Sequence, residues 1–150
     1  MSVISQKTQY ALRAVFELAK HQDEGPVKIG RIATAQAIPQ RFLENILNQL
    51  KRSGIVASRR GRDGGYVLAA DRRMLSVGEV ITLVQGPLSI VDCDPNQRKS
   101  HCPLGPDCVF WPMWEKAHLA QMEIYLNTTF QGLIEEETQR CQAYVPMYAI

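Results

Sequence analysis

Residues 28–69, KIGRIATAQAIPQRFLENILNQLKRSGIVASRRGRDGGYVLA, contain the pattern that decides the fold. In their first half, apolar residues recur at intervals of three and four, which predicts a short helix and then a longer one. The positions that mark them are Ile29, Ile32 and Ala33 in the first helix and Phe42, Leu43, Ile46, Leu47 and Leu50 in the second. Pro39 suits the first position of the longer helix, and Gly54 suits a left-handed cap after it. Two helices joined by a few residues predict a helix-turn-helix.

The second half of this stretch predicts a β-hairpin. Directly after Gly54 the period becomes strand-like, first in IVASRR at 55–60 and again in GYVLAA at 65–70. Between these segments, Gly61 and the run Asp63-Gly64-Gly65 are expected to supply the positive φ angles of a tight turn. A hairpin that directly follows a helix-turn-helix is a wing.

Further helices are predicted on both sides of this stretch. Upstream, Tyr10 to Lys20 has helical apolar spacing, and Gly25-Pro26 ends the segment. Downstream, Ser76 and Glu79 have the spacing of a capping box and predict a helix that stops at Gly86-Pro87. Residues 89–107 are rich in Pro, Asp, Asn and Cys without periodicity, which predicts a loop.

The charge is distributed unevenly along the chain. Residues 1–73 contain 13 Lys and Arg against 6 Asp and Glu, a difference of +7, whereas residues 74–150 contain 4 against 9, a difference of −5. A basic half of this kind favours a polyanionic partner, although ordinary solvated surface charges produce the same count.

Several classes of protein are disfavoured. The sequence has no nucleotide-binding glycine loop, nucleophile elbow or catalytic carboxylate pair, so it is not expected to be an enzyme. No apolar run approaches the roughly 20 residues that cross a bilayer, and the first residues lack the pattern of a signal peptide. A cytoplasmic protein with no membrane partner is therefore expected.

The longer helix of the helix-turn-helix has a polar face that predicts contact with double-stranded DNA. Gln, Arg and Asn side chains hydrogen-bond base edges in the major groove, and Gln40 and Arg41 lie at the end of the helix that makes such contacts. The arginines around the hairpin tip are expected to contact phosphates or a minor groove. The complete predicted set is Lys28, Gln40, Arg41, Glu44, Asn45, Asn48, Lys51, Arg52, Arg59, Arg60 and Arg62.

The segment after the loop carries a broad apolar and aromatic stripe of Trp111, Trp114, His118, Met122 and Tyr125. Either the rest of the domain or a second subunit must cover it, and a dimer interface is favoured because palindromic operators call for twofold dimers. The predicted fold class is therefore mainly α with a small β-hairpin wing, a winged helix-turn-helix plus a long C-terminal dimerisation helix. The predicted division is a DNA-binding domain at 1–86, a cysteine-rich sensor loop at 87–108, and a dimerisation helix with a tail at 109–150.

The cysteines of the predicted loop are candidate ligands for a metal or an iron–sulfur cluster. Eight residues separate Cys93 from Cys102, and five separate Cys102 from Cys108. Without a secretion signal, clustered thiolates favour an iron–sulfur cluster or zinc over disulfides. Three cysteines leave a tetrahedral set one ligand short. The candidates for the fourth ligand are His101, His118, Cys141, an acidic or amide side chain of a partner subunit, and a solvent molecule or small thiol.

Motifs along most of the chain resemble the Rrf-type family of bacterial winged-helix regulators, which includes iron–sulfur sensors. The matching segments are YALRAVFELA at 10–19, IATAQAIPQRFLENILNQLKRSGIV at 32–56, SRRGRDGGYVLA at 58–69 and SVGEVITLVQGPL at 76–88. The pattern RGxxGGYxLA, present here from Arg60 to Ala69, is highly specific for this family.

The resemblance implies a homodimer crossed through the long helix, with Cys93, Cys102 and Cys108 as the cluster cysteines. Three features depart from the relatives. The gap before Cys102 is longer than in related iron–sulfur sensors, Trp111 replaces a histidine that follows their third cysteine, and Gln9 stands where nitric-oxide sensors have an acidic ligand before the first-helix tyrosine. The type of cluster, 2Fe–2S or 4Fe–4S, therefore stays open.

These observations together predict a DNA-binding transcriptional regulator, acting as a repressor, whose operator affinity an iron–sulfur cluster controls. The signal is redox state, nitric oxide, or the supply of iron or clusters. The alternative is a cluster-free regulator of the same family, controlled by thiol redox chemistry, a metabolite or a partner protein. A small redox enzyme that uses the same cysteines is the third and least favoured interpretation.

Overall fold

The computed structural model describes residues 4–91 and 107–143. In chain order, the elements in these ranges are α1 (Gln6–Lys20), α2 (Ile29–Gln36), α3 (Gln40–Arg52), β1 (Val56–Arg59), β2 (Gly65–Leu68), α4 (Val77–Gln85), α5 (Trp111–Asn127) and α6 (Phe130–Ala143). This is the mainly α architecture with a small β-hairpin that the sequence predicts. Within the same ranges, no helix is both long enough and apolar enough to cross a membrane.

Helix α1 lies at the centre of the N-terminal core and contacts α2, α3, α4 and α6. Its buried apolar side chains are those of Ala11, Ala14, Val15, Leu18 and Ala19. The helix begins at Gln6 and not at Tyr10, so the predicted start is wrong. The reason is the N-cap, because the Ser5 hydroxyl accepts a hydrogen bond from the Thr8 N–H at 3.1 Å and the first turn is largely polar.

Helices α2 and α3 form the predicted helix-turn-helix. Ala37 between them has a left-handed backbone with φ 49°, and Ile38 is buried. Pro39 is the N-cap of α3 and not its first helical residue, which corrects the prediction. Its backbone is extended, with φ −61° and ψ 125°. The proline ring fixes φ near this value, which suits the N-cap as well as the first helical position. Gly54 follows the helix with φ 82°, as predicted.

One residue of the predicted apolar face of α3 is misplaced. The residues that α3 buries are Leu43, Ile46, Leu47 and Leu50. Phe42 is 46% exposed, so its assignment to the buried face is wrong. At about 100° per residue, Phe42 lies at the edge of the stripe that the four buried residues define.

Strands β1 and β2 form the predicted wing, in antiparallel register from Val56 opposite Leu68 to Arg59 opposite Gly65. Gly61 and Gly65 have the expected positive φ angles, 113° and 159°, whereas Asp63 and Gly64 do not. Gly64 is required for space instead, because a Cβ atom there would lie 2.2 Å from the carbonyl oxygen of Arg59.

Helix α4 begins with the predicted capping box. The Ser76 hydroxyl accepts from the Glu79 N–H at 3.2 Å, and the Glu79 carboxylate accepts from the Ser76 N–H at 2.7 Å. The same end of α4 anchors the C-terminal helices. The Val77 N–H donates to the carbonyl oxygen of Thr128 at 2.8 Å, and the Phe130 N–H donates to that of Leu75 at 3.2 Å. These bonds separate α5 from α6, a helix that the sequence analysis did not predict.

Candidate nucleic-acid interface and cysteine region

The outer face of α3 presents polar side chains to solvent. All the α3 residues that the sequence predicts to contact DNA are exposed: Gln40, Arg41, Glu44, Asn45, Asn48, Lys51 and Arg52. The opposite face of α3 is fixed in the core through its four buried residues. The helix therefore holds this polar face, here called the α3 face, outward on a rigid support.

At the N-terminal end of the α3 face, two aromatic rings lie beside two arginines. The guanidinium carbon of Arg41 lies 4.8 Å from the centre of the Phe42 ring, and the Phe42 and Tyr10 ring centres are 6.3 Å apart at 40°. The guanidinium carbon of Arg13 lies 5.6 Å from the centre of the Tyr10 ring. The sequence analysis assigned no role to this group, although the off-stripe position of Phe42 was available as a signal.

The wing presents its arginines beside the helix-turn-helix. Arg59, Arg60 and Arg62 are exposed around the hairpin turn. Val27 and Tyr66 exchange two backbone hydrogen bonds of 2.8 Å, which join the segment before α2 to β2. Lys28, also exposed, is therefore held close to the wing by its neighbour Val27.

A buried carboxylate fixes α2 against α1. Glu17 is 4% exposed, and its carboxylate accepts a hydrogen bond from the Gln36 side-chain amide at 2.8 Å. The other carboxylate oxygen of Glu17 lies 3.1 Å from Nε2 of His21. Because a buried acidic group is tolerated only when it is hydrogen-bonded, this network holds the two helices in one arrangement.

The end of α4, which precedes the cysteine-rich segment predicted at 87–108, contacts both α1 and α3. The side-chain amide of Gln49 on α3 donates to the carbonyl oxygen of Leu83 at 3.3 Å. The side-chain oxygen of Gln85 accepts from the Ser5 N–H at 2.8 Å and from the Thr8 hydroxyl at 2.9 Å. Two of the helices of the DNA-binding region are thus hydrogen-bonded to the last turn before the loop.

Of the predicted metal ligands, the structure describes only Cys108, since Cys93 and Cys102 lie outside the described residues, as does His101. Cys108 is half-buried just before α5, and neither it nor Cys141 forms a disulfide with a described cysteine. No group of three or more His, Cys, Asp or Glu side chains suited to a metal occurs within 4–91 and 107–143.

Two candidates for the fourth ligand can be placed relative to Cys108. His118 follows Trp111 by seven residues, so it lies about 10 Å farther along α5 than Trp111. The Nδ1 atom of His118 is buried, and no described group hydrogen-bonds to it. Cys141 is exposed on α6.

Helix α5 is only partly covered by the other described residues of the chain. Every residue of the predicted stripe, Trp111, Trp114, His118, Met122 and Tyr125, is half-buried. Other large apolar side chains of α5 are exposed on both sides of this stripe: Met113, Leu119, Ile124 and Leu126. None of the 17 residues of α5 is fully buried by the part of the chain that the structure describes. A groove of about 860 Å³ runs between α1, α5 and α6, with Leu12, Phe16 and Ile124 among its apolar lining.

Residues 4–136 match the sequence model of the family described as "Rrf2: Iron-dependent Transcriptional regulator". This chain belongs to the Rrf2 family. Its similarity to the HTH-type transcriptional regulator IscR of Serratia proteamaculans (strain 568) is 36% identity over 134 residues, which cover 89% of this chain and 80% of that protein.

Solved structures of Rrf2 relatives have the same fold. The structure of T. potens IscR superposes with a TM-score of 0.72 at 30% identity and covers 90% of this chain and 88% of that one. The structure of CymR, described as the global cysteine regulator of B. subtilis, superposes with a TM-score of 0.73 at 31% identity and covers 91% and 98%.

These similarities confirm the predicted winged-helix fold and the predicted family of this Rrf2 chain. The relatives are named as transcriptional regulators, as expected for a chain that is not an enzyme. The chain is thus a DNA-binding transcriptional regulator similar to IscR.

Proposed function

We propose that this Rrf2 chain is a homodimeric repressor whose affinity for a palindromic operator is controlled by an iron–sulfur cluster on Cys93, Cys102 and Cys108. The observation that carries the proposal is the contact between the last turn of α4, directly before the cysteine loop, and both α1 and α3. A change in the loop is therefore connected with α3 through the backbone of α4 and its hydrogen bond to Gln49.

The donor chemistry fits such a cluster. Thiolates are the usual ligands of iron in these groups, and Cys108 is half-buried with no disulfide to a described cysteine. The family description and the IscR relatives support iron over zinc. When bound, the cluster would link the cysteine thiolates through its iron atoms, and its loss, oxidation or modification would change those links.

In this proposal, the α3 face lies in the major groove and the wing contacts the DNA backbone. The exposed Gln40, Arg41, Asn45 and Asn48 carry the side-chain groups that recognise base edges. Glu44 is suited to accept a hydrogen bond from cytosine. The positively charged residues Lys28, Lys51, Arg52, Arg59, Arg60 and Arg62 are suited to phosphates or to a minor groove.

The exposed apolar side chains of α5 support the proposed dimer. Its apolar side chains extend well beyond the half-buried stripe, and a helix that is apolar over most of its circumference requires cover on more than one side. A second α5, packed on the exposed residues and on the groove beside α1, supplies that cover. Twofold symmetry then presents two α3 faces to successive major grooves.

The proposal is tested with protein purified without air. We expect the wild type and a Gln139→Ala control, changed at an exposed position of α6, to contain iron and acid-labile sulfide and to absorb visible light. Cys108→Ala is expected to lose the iron, the sulfide and the absorbance. Operator affinity, measured by fluorescence anisotropy, is expected to differ by about 5-fold to 150-fold between the loaded wild type and Cys108→Ala, the range of a typical allosteric coupling. Iron-free wild type, or equal affinities of loaded and unloaded protein, contradicts the proposal.

The similarity to CymR, described as a cysteine regulator, favours one other function, that of a cluster-free regulator. In that case Cys108→Ala leaves metal content unchanged at zero. Operator affinity then responds to thiol oxidation, to a metabolite or to a protein partner instead.

A further inference from the structure

Phe42 occupies an unusual position for a large aromatic residue. It lies in the first turn of α3, between the DNA-facing Arg41 and the buried Leu43, and it is 46% exposed. Single exposed apolar side chains are common on proteins and by themselves indicate nothing. Phe42 differs because a guanidinium lies against its ring and a second ring supports it.

The contacts form a continuous chain from α1 to the N-terminal end of α3. The Arg41 guanidinium carbon is 4.8 Å from the Phe42 ring centre, within the range of a cation–π contact. The Tyr10 ring lies 6.3 Å from the Phe42 ring at an inclined angle, which is a favourable aromatic pair. Tyr10 belongs to α1, which is held in the core by its buried residues. The ring of Phe42 is therefore supported from the rigid part of the domain.

The contact with the Phe42 ring restricts the Arg41 side chain before DNA is bound. A free arginine side chain samples many rotamers and loses this freedom when it binds, which reduces affinity. A guanidinium that is already held beside Phe42 loses less. An arginine at the N-terminal end of a recognition helix is also the side chain best suited to form two hydrogen bonds with the edge of guanine.

We propose that Phe42, supported by Tyr10, is a positioning residue that holds Arg41 for recognition of a guanine base in the operator. This inference rests on the proposed placement of the α3 face in the major groove. It predicts that the preference for guanine at one operator position depends on the aromatic ring at residue 42 and on Arg41 together.

The experiment is a double-mutant cycle on an operator that the wild-type protein selects from genomic DNA. The proteins are the wild type, Phe42→Leu, Arg41→Ala and the double variant, each measured against the operator and against all single-base changes in it. Leu keeps an apolar side chain at the exposed position but removes the ring. Phe42→Tyr keeps the ring and serves as the matched control, and Phe42→Met is a second ring-free variant.

The expected result for Phe42→Leu is a loss of about two- to fivefold per half-site, the size of one exposed cation–π contact, and so of about 4- to 25-fold for the dimer on its operator. No further loss is expected when Arg41 is already Ala. Phe42→Leu and Phe42→Met also weaken the preference for guanine at the Arg41 position by about two- to fivefold, whereas Phe42→Tyr retains it in full. A general loss of packing does not produce this base-specific effect.

Additive losses in the cycle, or an unchanged base preference in both ring-free variants, overturn this inference while the regulator keeps its operator. A wild-type protein that selects no operator overturns the placement of the α3 face as well. The two failures are therefore distinguished by the wild-type measurement alone.

Discussion

Two arginines of the proposed interface carry the same charge in different settings. Arg41 lies against an aromatic ring on a helix, whereas Arg60 is exposed beside the hairpin turn at Gly61. A base contact acts at one position of the operator, while a phosphate contact acts equally on all sequences and releases counterions. The two residues are therefore expected to differ in the kind of effect that their loss produces.

For Arg60→Ala, we expect weaker binding to every sequence tested and a slope of log affinity against log salt that falls by about 1.8, the value for two lost phosphate contacts, one from each subunit of the proposed dimer. Arg73→Ala is the control, because it removes one positive charge from an exposed position that lies neither in the predicted DNA-binding set nor on α5. The measurement is a salt titration of operator binding by fluorescence anisotropy. A slope that falls equally in both variants means that only net charge matters and that Arg60 makes no phosphate contact.

At this scale, the sequence predicted exposure well but contacts poorly. The polar residues of α3 are on the outside because four leucine and isoleucine residues at helical spacing fix the opposite face. Phe42 was misassigned because its spacing places it near that stripe. Its contact with the ring of Tyr10, a residue of another helix, cannot be read from the spacing of residues within α3.

Among the elements, local signals predicted the regular parts of the fold. The capping box at Ser76 and the cap at Gly54 lie within a few residues of the helices that they begin and end, so they are readable from sequence. The break between α5 and α6 is not local. It depends on hydrogen bonds from Val77 and Phe130 to backbone groups far away in the chain, which no spacing of apolar residues reveals.

Helix α4 is the element that connects the proposed sensor with the proposed interface. Its last turn is hydrogen-bonded to α3 through Gln49 and Leu83 and to the start of α1 through Gln85. If this turn transmits a change from the loop, the Gln49 bond contributes to the difference in operator affinity between cluster-loaded and cluster-free protein.

We therefore expect Gln49→Leu to reduce that difference by about 0.5–1.5 kcal/mol, the net contribution of one hydrogen bond. The measurement compares operator affinities of loaded and unloaded protein for the wild type, Gln49→Leu and Gln139→Leu. Gln139→Leu is the matched control at an exposed position of α6. A full difference in Gln49→Leu excludes this bond from the coupling, even if the cluster still controls binding.

The whole molecule divides into a basic part and an acidic part that differ in the partner they favour. The basic residues 1–73 contain the helix-turn-helix and the wing, whose charged groups are exposed. The acidic residues 74–150 contain α5, where large apolar side chains remain exposed between the charges. Exposed apolar area on a long helix indicates a protein partner, and repulsion between acidic surfaces limits how closely two copies approach except where the apolar residues meet.

A second copy of α5 satisfies these requirements, and its loss is measurable. Leu119 and Ile124 are 60% and 65% exposed on opposite sides of the stripe. Because a twofold interface contains each residue twice, we expect Leu119→Glu or Ile124→Glu to weaken dimerisation at least about tenfold, given about 1.5–3 kcal/mol for one fully buried side chain. Sedimentation velocity measures the dimer, and operator binding must weaken in parallel because one subunit contacts only half of a palindrome. Gln139→Glu adds the same charge on α6 and should leave both unchanged. Glu variants that stay dimeric at nanomolar concentration place the interface elsewhere.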